Sequence, residues 1–215
     1  MKLYASPFAC SLAPHIVLHE TGHPHEIAWV RLRTKELLDG GSYFNVNPKG
    51  KISAIERDDG TILTENVAVL CYLGSVDAEK NLVPMKDRDG FLRLMEWLNF
   101  VSTEIHKQIL WTSFSPATPD EMKRFVTGEI APKVLSHAER ALEAAPFLMG
   151  EDFTVADAYF FWSLQLLPRA GVALEPYPSI LAFRDRIAAR PTVACALSIE
   201  HKVKAEMDAA AEAAA

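Results

Sequence analysis

The first fifteen residues constrain this chain more than any other stretch, because they demand a strand, a tight turn and a helix in immediate succession. Lys2-Leu3-Tyr4-Ala5 alternates as a half-buried strand does, and Ser6-Pro7 breaks it. From Ser11 to Glu20 the apolar residues Leu12, Ile16 and Val17 fall at helical spacing, and Gly22 stands where a C-terminal cap belongs. Pro14 sets the start. It has no N–H, so it fits only in the first turn, where that donor lacks a partner within the helix. The first helical residue is therefore near Ser11, and Cys10 sits at the N-terminal end. Unpaired N–H groups and the positive end of the helix dipole favour an anion there, so a thiol in that place loses its proton more readily and becomes nucleophilic. The competing reading of Cys10 is a small buried hydrophobe. Position alone leaves the two about even.

Beyond the first helix, His23-Pro24 turns the chain, and Ile27 to Leu32 reads as a second strand. Strand, helix, strand implies a parallel pair and a βαβ unit. His19, His23 and His25 span a helix end and a turn with no cysteine or acid in register, so they read as solvated surface and no metal is expected. Lys35 lies in the polar connection that follows, by default a solvated charge. Asn47-Pro48-Lys49-Gly50 is a turn, and Ala54 to Arg57 and Thr61 to Leu63 are two short strands around Asp58-Asp59-Gly60, a strong hairpin pattern. Thr64-Glu65-Asn66 opens a helix whose Val67, Leu70 and Cys71 share a face, and Thr64 or Glu65 can cap it. The order βαβ then ββα is the thioredoxin-like arrangement, so residues 1–80 read as an α/β domain of that kind.

The second half reads as all-α. Residues 81–89 are polar and carry Pro84, so they form a linker, and 90–200 make a helical domain. The Ala-rich tail 201–215 has no apolar stripe and is read as a frayed helix or disorder. From Phe91 to Trp111 apolar residues recur at helical spacing, while Asn99, Thr103 and His106 follow at intervals of four and three on one face. A solvated stripe would explain that face. Leu110, Trp111 and Phe114, with Trp162, Leu166 and Leu167 on a later helix, either pack the core or wall a pocket for an apolar molecule. The core reading suits the leucines and the pocket reading Trp111 and Phe114. Thr154 and Asp157 have the spacing of a helix cap, a structural feature.

Charge and cysteine usage exclude several classes of function. A net charge of −6 gives no reason for a nucleic-acid partner. Three cysteines, odd in number and widely spaced, make no disulfide framework and suit a reducing compartment. The N-terminus enters a strand directly, with no signal peptide, and no apolar run is long enough to cross a bilayer. The expected place is the cytoplasm, with no membrane partner.

The segments Ser-Pro-Phe-Ala-Cys-Ser-Leu-Ala-Pro-His at 6–15, Asn-Pro-Lys-Gly at 47–50 and Thr-Glu-Asn at 64–66 resemble the bacterial beta class of glutathione transferases, nearly end to end. Trp-Leu-Asn-Phe at 97–100 and Ser-Thr-Glu-Ile-His-Lys at 102–107 extend the resemblance to the helix that faces the glutathione site in that family. It implies glutathione as co-substrate, with Cys10 at its sulfur. Lys35 would meet the glycine carboxylate, the backbone of Ile52 the cysteinyl unit, and Glu65 with Asn66 the γ-glutamyl end. From the helical domain it implies Asn99, Thr103, Glu104, Ile105 and His106, with His106 catalytic beside Cys10 and Lys107 nearby. Phe8, Leu110, Trp111, Phe114, Trp162 and Leu166 would then wall the site of a small hydrophobic electrophile. The implied protein is a cytoplasmic homodimer and a detoxifying transferase, with thiol–disulfide exchange and peroxide reduction within the class's range. The alternative is a glutathione- or hydrophobe-binding protein of the same fold with little turnover.

Two positions depart from the family pattern. Asn66 stands where a serine is usual, a mild change because an amide also donates and accepts. Ser53 stands where the family has a cis-proline. A cis bond before a non-proline residue costs about 3–4 kcal/mol, so the expectation is a trans Ile52–Ser53 bond and looser glutathione binding.

Overall fold

The computed structural model describes residues 1–213, which divide into two compact units. The first contains Met1–Val76 together with the chain from Ala189 onward; the second contains Asp77–Ala188. This differs from the expectation of a helical domain running from 90 to 200 behind a linker.

In the first unit, β1 (Lys2–Ala5), α1 (Leu12–Thr21), β2 (Glu26–Arg31), β3 (Glu36–Leu37), β4 (Ala54–Glu56), β5 (Ile62–Thr64) and α2 (Asn66–Ser75) follow in order. The sheet order is β3-β2-β1-β4-β5. β1 lies parallel to β2, with Leu3 opposite Ile27, and antiparallel to β4, with Leu3 opposite Ile55. The β4–β5 hairpin turns where expected, and Gly60 takes the positive φ of 80° that such a turn asks of a glycine. β3 is the element the sequence did not reveal, because two residues carry no period. Tyr4, Ala28, Val30, Tyr43 and Ala54 form a core cluster, while Leu12, Ile16 and Val17 of α1 are fully buried. Gly22 ends α1 in the left-handed conformation with its N–H on the Leu18 carbonyl.

The last helix, α9 (Pro191–Ala213), completes this unit through polar and apolar contacts. Arg190 forks onto Glu20, Nε to Oε1 at 2.7 Å and Nη2 to Oε2 at 2.8 Å. Glu200 is fully buried; its Oε1 lies 3.0 Å from His15 Nδ1 and its Oε2 accepts the Phe8 N–H. α9 continues as helix to Ala213, so the expected tail is ordered helix up to there, and the remainder of that stretch lies outside the described residues. The reason is docking: Val193, Ala196, Glu200 and Val203 bury one stripe that the alanine-rich composition conceals.

In the second unit, α3 (Arg88–Phe100) continues without a break into a π-wound stretch, Val101–Trp111, and a closing turn, α4 (Thr112–Phe114). α5 (Asp120–Phe125) passes through a π-wound Val126–Ile130 into α6 (Ala131–Ala144). α7 (Val155–Leu166) is the core helix, buried from Val155 to Leu164, and α8 (Pro178–Ala188) follows. Buried Glu139 accepts from the N–H groups of Ser179 and Ile180 at 2.8 and 2.9 Å, meeting donors at the start of α8. No helix among the described residues is long and apolar enough to cross a membrane.

Candidate functional site

Cys10 stands two residues before α1, as the sequence implied, but it is only 7% exposed. Its thiol donates to the Ile52 carbonyl at 3.3 Å. Burial pushes the thiol up to about 12, although the backbone N–H groups of Cys10, Ser11 and Ser53 pull the other way. The expected depressed thiol is therefore corrected: desolvation outweighs the helix end, and Cys10 is a protonated donor at neutral pH. The helix start itself carries no side-chain cap. The Ser11 hydroxyl instead accepts the Ser6 N–H at 3.0 Å and donates to the Ser6 carbonyl at 3.2 Å, tying down the turn between β1 and α1.

The segment facing Cys10 is fixed from both sides. The Lys51 carbonyl accepts from Tyr43 Oη at 2.9 Å and from Asn47 Nδ2 at 2.6 Å. The next peptide, Ile52–Ser53, is cis, which corrects the expected trans bond. That expectation treated the peptide by itself. In the fold Ser53 is 1% exposed, its hydroxyl donates to Asn66 Oδ1, and its N–H is one of those that face Cys10.

Glu65 and Asn66 open α2. Glu65 has a φ of 73° and offers the helix no side-chain cap, so neither the Thr64 nor the Glu65 cap reading describes it. Its exposed carboxylate pairs with Lys49, whose ammonium also donates to Thr64 Oγ1 at 2.8 Å. Sequence reasoning left Lys49 inside a turn and did not foresee these contacts with the start of α2. Asn66 gives its Oδ1 to Ser53, while its buried Nδ2 has no hydrogen-bond partner among the described residues. Lys35 has a φ of 61°, and partial burial beside Lys51 lowers its ammonium pKa. Two cations near each other, one less hydrated than usual, suit a carboxylate. Phe8, expected to wall a pocket, packs edge-on against His201 with centroids 4.7 Å apart.

In the second unit the polar stripe is spent differently from its sequence spacing. Exposed Asn99 turns its amide to the Met95 carbonyl at 2.8 Å, and exposed Thr103 donates to the Asn99 carbonyl at 3.0 Å. Glu104 meets the same Thr103 hydroxyl at 3.1 Å, and Ile105 is fully buried core. His106 Nδ1 lies 2.7 Å from Tyr159 Oη, with the Trp162 ring edge-on at 4.6 Å. The winding changes from α to π at Val101; Asn99 and Thr103 both stay exposed, and His106 is half-buried against Tyr159. Trp162 and Leu110, each 2% exposed, belong to the core, while Leu166 is half-buried. Trp111 and Phe114 are 52% and 45% exposed, and Lys107 Nζ stands 4.5 Å over the Trp111 ring.

Two family models match: the N-terminal domain of glutathione S-transferases over residues 5–76, and the C-terminal domain over 103–198. Glutathione S-transferase GstA of Escherichia coli O157:H7 is 40% identical over 200 residues, covering 93% of this chain and 98% of that protein. The ternary complex of BphK, a bacterial transferase, is 39% identical, covers 94% of this chain and all of that one, and superposes with a TM-score of 0.90. A sphingomonad glutathione S-transferase complexed with glutathione is 36% identical, with 94% and 99% of the two chains covered and a TM-score of 0.88. A bacterial beta-class enzyme from Sphingomonas chungbukensis is also 36% identical, with 93% and 98% covered and a TM-score of 0.87. The turn that carries Cys10, the thioredoxin-like sheet and the helical second unit thus recur together across nearly the whole chain. This chain belongs to the glutathione S-transferase family.

Proposed function

We propose that the chain transfers glutathione to small hydrophobic electrophiles and holds the tripeptide along its first unit. The observation that carries this reading is Asn66 Nδ2, a buried donor with no partner among the described residues, at the start of α2. A helix start favours a carboxylate, and an unused amide donor beside it adds a directed bond. The γ-glutamyl unit has a carboxylate for that place and an ammonium that the exposed Glu65 carboxylate can accept. Lys35 would take the glycine carboxylate at the other end, and the backbone of Ile52 the cysteinyl unit. Cys10, a protonated donor, would offer its S–H to the glutathione sulfur and stabilise it as thiolate. In the reaction that sulfur forms a bond to the electrophilic carbon, the leaving group departs with its electron pair, and the thiol proton passes to solvent.

His106 stays in the proposal as the second unit's catalytic candidate, on the resemblance of its segment. Its ring is held by Tyr159, so its position is reproducible. Exposed Trp111 and Phe114 are offered for the hydrophobic co-substrate. A homodimer is proposed from the family resemblance, symmetric pairs being the commonest soluble oligomers, and a reducing cytoplasm is supported by three free thiols.

A second reading, a glutathione-binding protein with little turnover, is favoured by one feature: Cys10 has its thiol protonated and buried. Turnover with an aryl halide, measured beside equilibrium glutathione binding, separates the two. Saturable turnover that His106→Ala slows more than it weakens binding supports the enzyme; binding without turnover supports the second reading. Failure of both refutes the glutathione site.

A further inference from the structure

Three histidines that the glutathione reading does not use converge in the first unit. One ring nitrogen from each of His15, His19 and His25 lies within 4.8 Å of the other two. The expectation that His19, His23 and His25 are solvated surface is corrected, since all three are half-buried, and His15, which that expectation did not include, is fully buried. His15 and His19 are four apart on α1 and so share a face, and His25 stands just before β2.

The outer nitrogens of His15 and His25 are already assigned by neighbours that can only accept. His15 Nδ1 faces Glu200 Oε1 at 3.0 Å, so Nδ1 carries the proton and Nε2 keeps its lone pair. His25 Nδ1 lies 2.8 Å from the His23 carbonyl, which likewise leaves Nε2 as the basic nitrogen. His19 Nε2 is 3.2 Å from His15 Nε2. Two ligands on one tetrahedral metal, each about 2.0–2.1 Å from it, stand roughly 3.3 Å apart.

We propose that His15, His19 and His25 form a three-imidazole site for a first-row transition-metal dication, zinc above all. Three histidines are a known zinc complement, with a fourth position left for water. Neutral imidazoles with no thiolate or carboxylate among them suit zinc and its neighbours and disfavour magnesium, calcium and copper(I). Glu200 and the His23 carbonyl supply the outer hydrogen bonds that orient ligating histidines. On binding, the single proton between His15 and His19 moves from His19 Nε2 to His19 Nδ1, so that the imidazole stays neutral and the metal takes the vacated place. His19 and His25 are half-buried, so their rings can close the remaining distance. Among the described residues no acid joins the three nitrogens, because the one carboxylate at hand, Glu200, sits behind His15. The ion would clip α1 to the turn before β2, and through Glu200 to α9.

The full chain, stripped with a chelator, is titrated with zinc against a chromophoric chelator, and separately loaded with cobalt(II). The expected result is one zinc per chain, a rise in melting temperature, and a cobalt spectrum of d–d bands without sulfur-to-metal charge transfer. His19→Ala and His25→Ala should each abolish the bound equivalent and the melting shift while melting like wild type in chelator. His23→Ala, which keeps the carbonyl, should bind as wild type does. His15 is left intact because its loss would also break the Glu200 contact. Retained stoichiometry in both the His19 and His25 variants, a thiolate band in the cobalt spectrum, or no zinc bound by wild type at micromolar concentration would overturn the site.

Discussion

The start of α7 in the second unit and the starts of α1 and α2 in the first are built on opposite plans. At α7, Thr154 and Asp157 close a reciprocal cap: Asp157 Oδ2 accepts the Thr154 N–H at 2.7 Å and its hydroxyl at 2.9 Å. The other oxygen takes the Leu148 N–H at 2.8 Å, and all of this is buried. At α1 and α2 no side chain caps the helix: Ser11 turns back to Ser6, and Glu65 turns out to Lys49. A start sealed by its own side chains holds up the fold. One left unsealed, with an unused Asn66 amide beside it, is available to a ligand. The two kinds of site respond to mutation in different currencies, stability for one and binding for the other.

The largest effect is expected at the sealed end. Asp157→Ala leaves the Leu148 and Thr154 N–H groups buried without an acceptor, so it should destabilise the protein by about 3–5 kcal/mol. Chemical denaturation reads this directly, and a loss under about 1 kcal/mol would mean the cap carries little. Thr154→Ala removes the hydroxyl but leaves the carboxylate with both backbone donors, and should cost about 0.5–2 kcal/mol.

At the unsealed ends the stability cost shrinks while binding takes over. Asn66→Ala removes the acceptor of the Ser53 hydroxyl, for about 0.5–1.5 kcal/mol, yet it should strongly weaken retention on immobilised glutathione. Normal retention would erase the distinction between the two plans. Cys10→Ala removes a buried thiol and its bond to the Ile52 carbonyl, and should cost about 0.5–1.5 kcal/mol at neutral pH, where the thiol is protonated. Because folding raises the Cys10 pKa, its contribution is complete below the free-thiol value of about 8.5 and is lost as pH rises towards about 12. Thiolate absorbance assigned to Cys10 by comparison with Cys10→Ala should therefore rise above that free-thiol value. A step below it would restore the helix-dipole argument that burial has displaced.

What the sequence disclosed and what it withheld divide along the same line. β1, α1, the Asp58-Asp59-Gly60 hairpin and the Thr154–Asp157 cap were legible because their causes lie within a few residues of each other. Glu200 was not, since its partners Phe8 and His15 are 192 and 185 positions away. The histidine cluster escaped for the same reason: the acid behind His15 comes from the other end of the chain. Cys10 was located correctly and charged wrongly, because position follows from Pro14 while burial follows from the whole fold. In the helix from Arg88, the period of 3.6 put Asn99 and Thr103 on one exposed face, where they are, while nothing near His106 announced its contact with Tyr159, 53 positions away.

The return of α9 to the first unit has a consequence for how the molecule is made. When Val76 leaves the ribosome, the sheet is complete, but the carboxylate that accepts the Phe8 N–H has yet to be translated. At about 5–20 residues per second, the wait for Glu200 is on the order of ten seconds. During that interval the second unit emerges whole and can fold on its own contacts. The thioredoxin-like unit begins first but is completed after the second unit has been translated, and the turn that carries Cys10 gets its anchor only then.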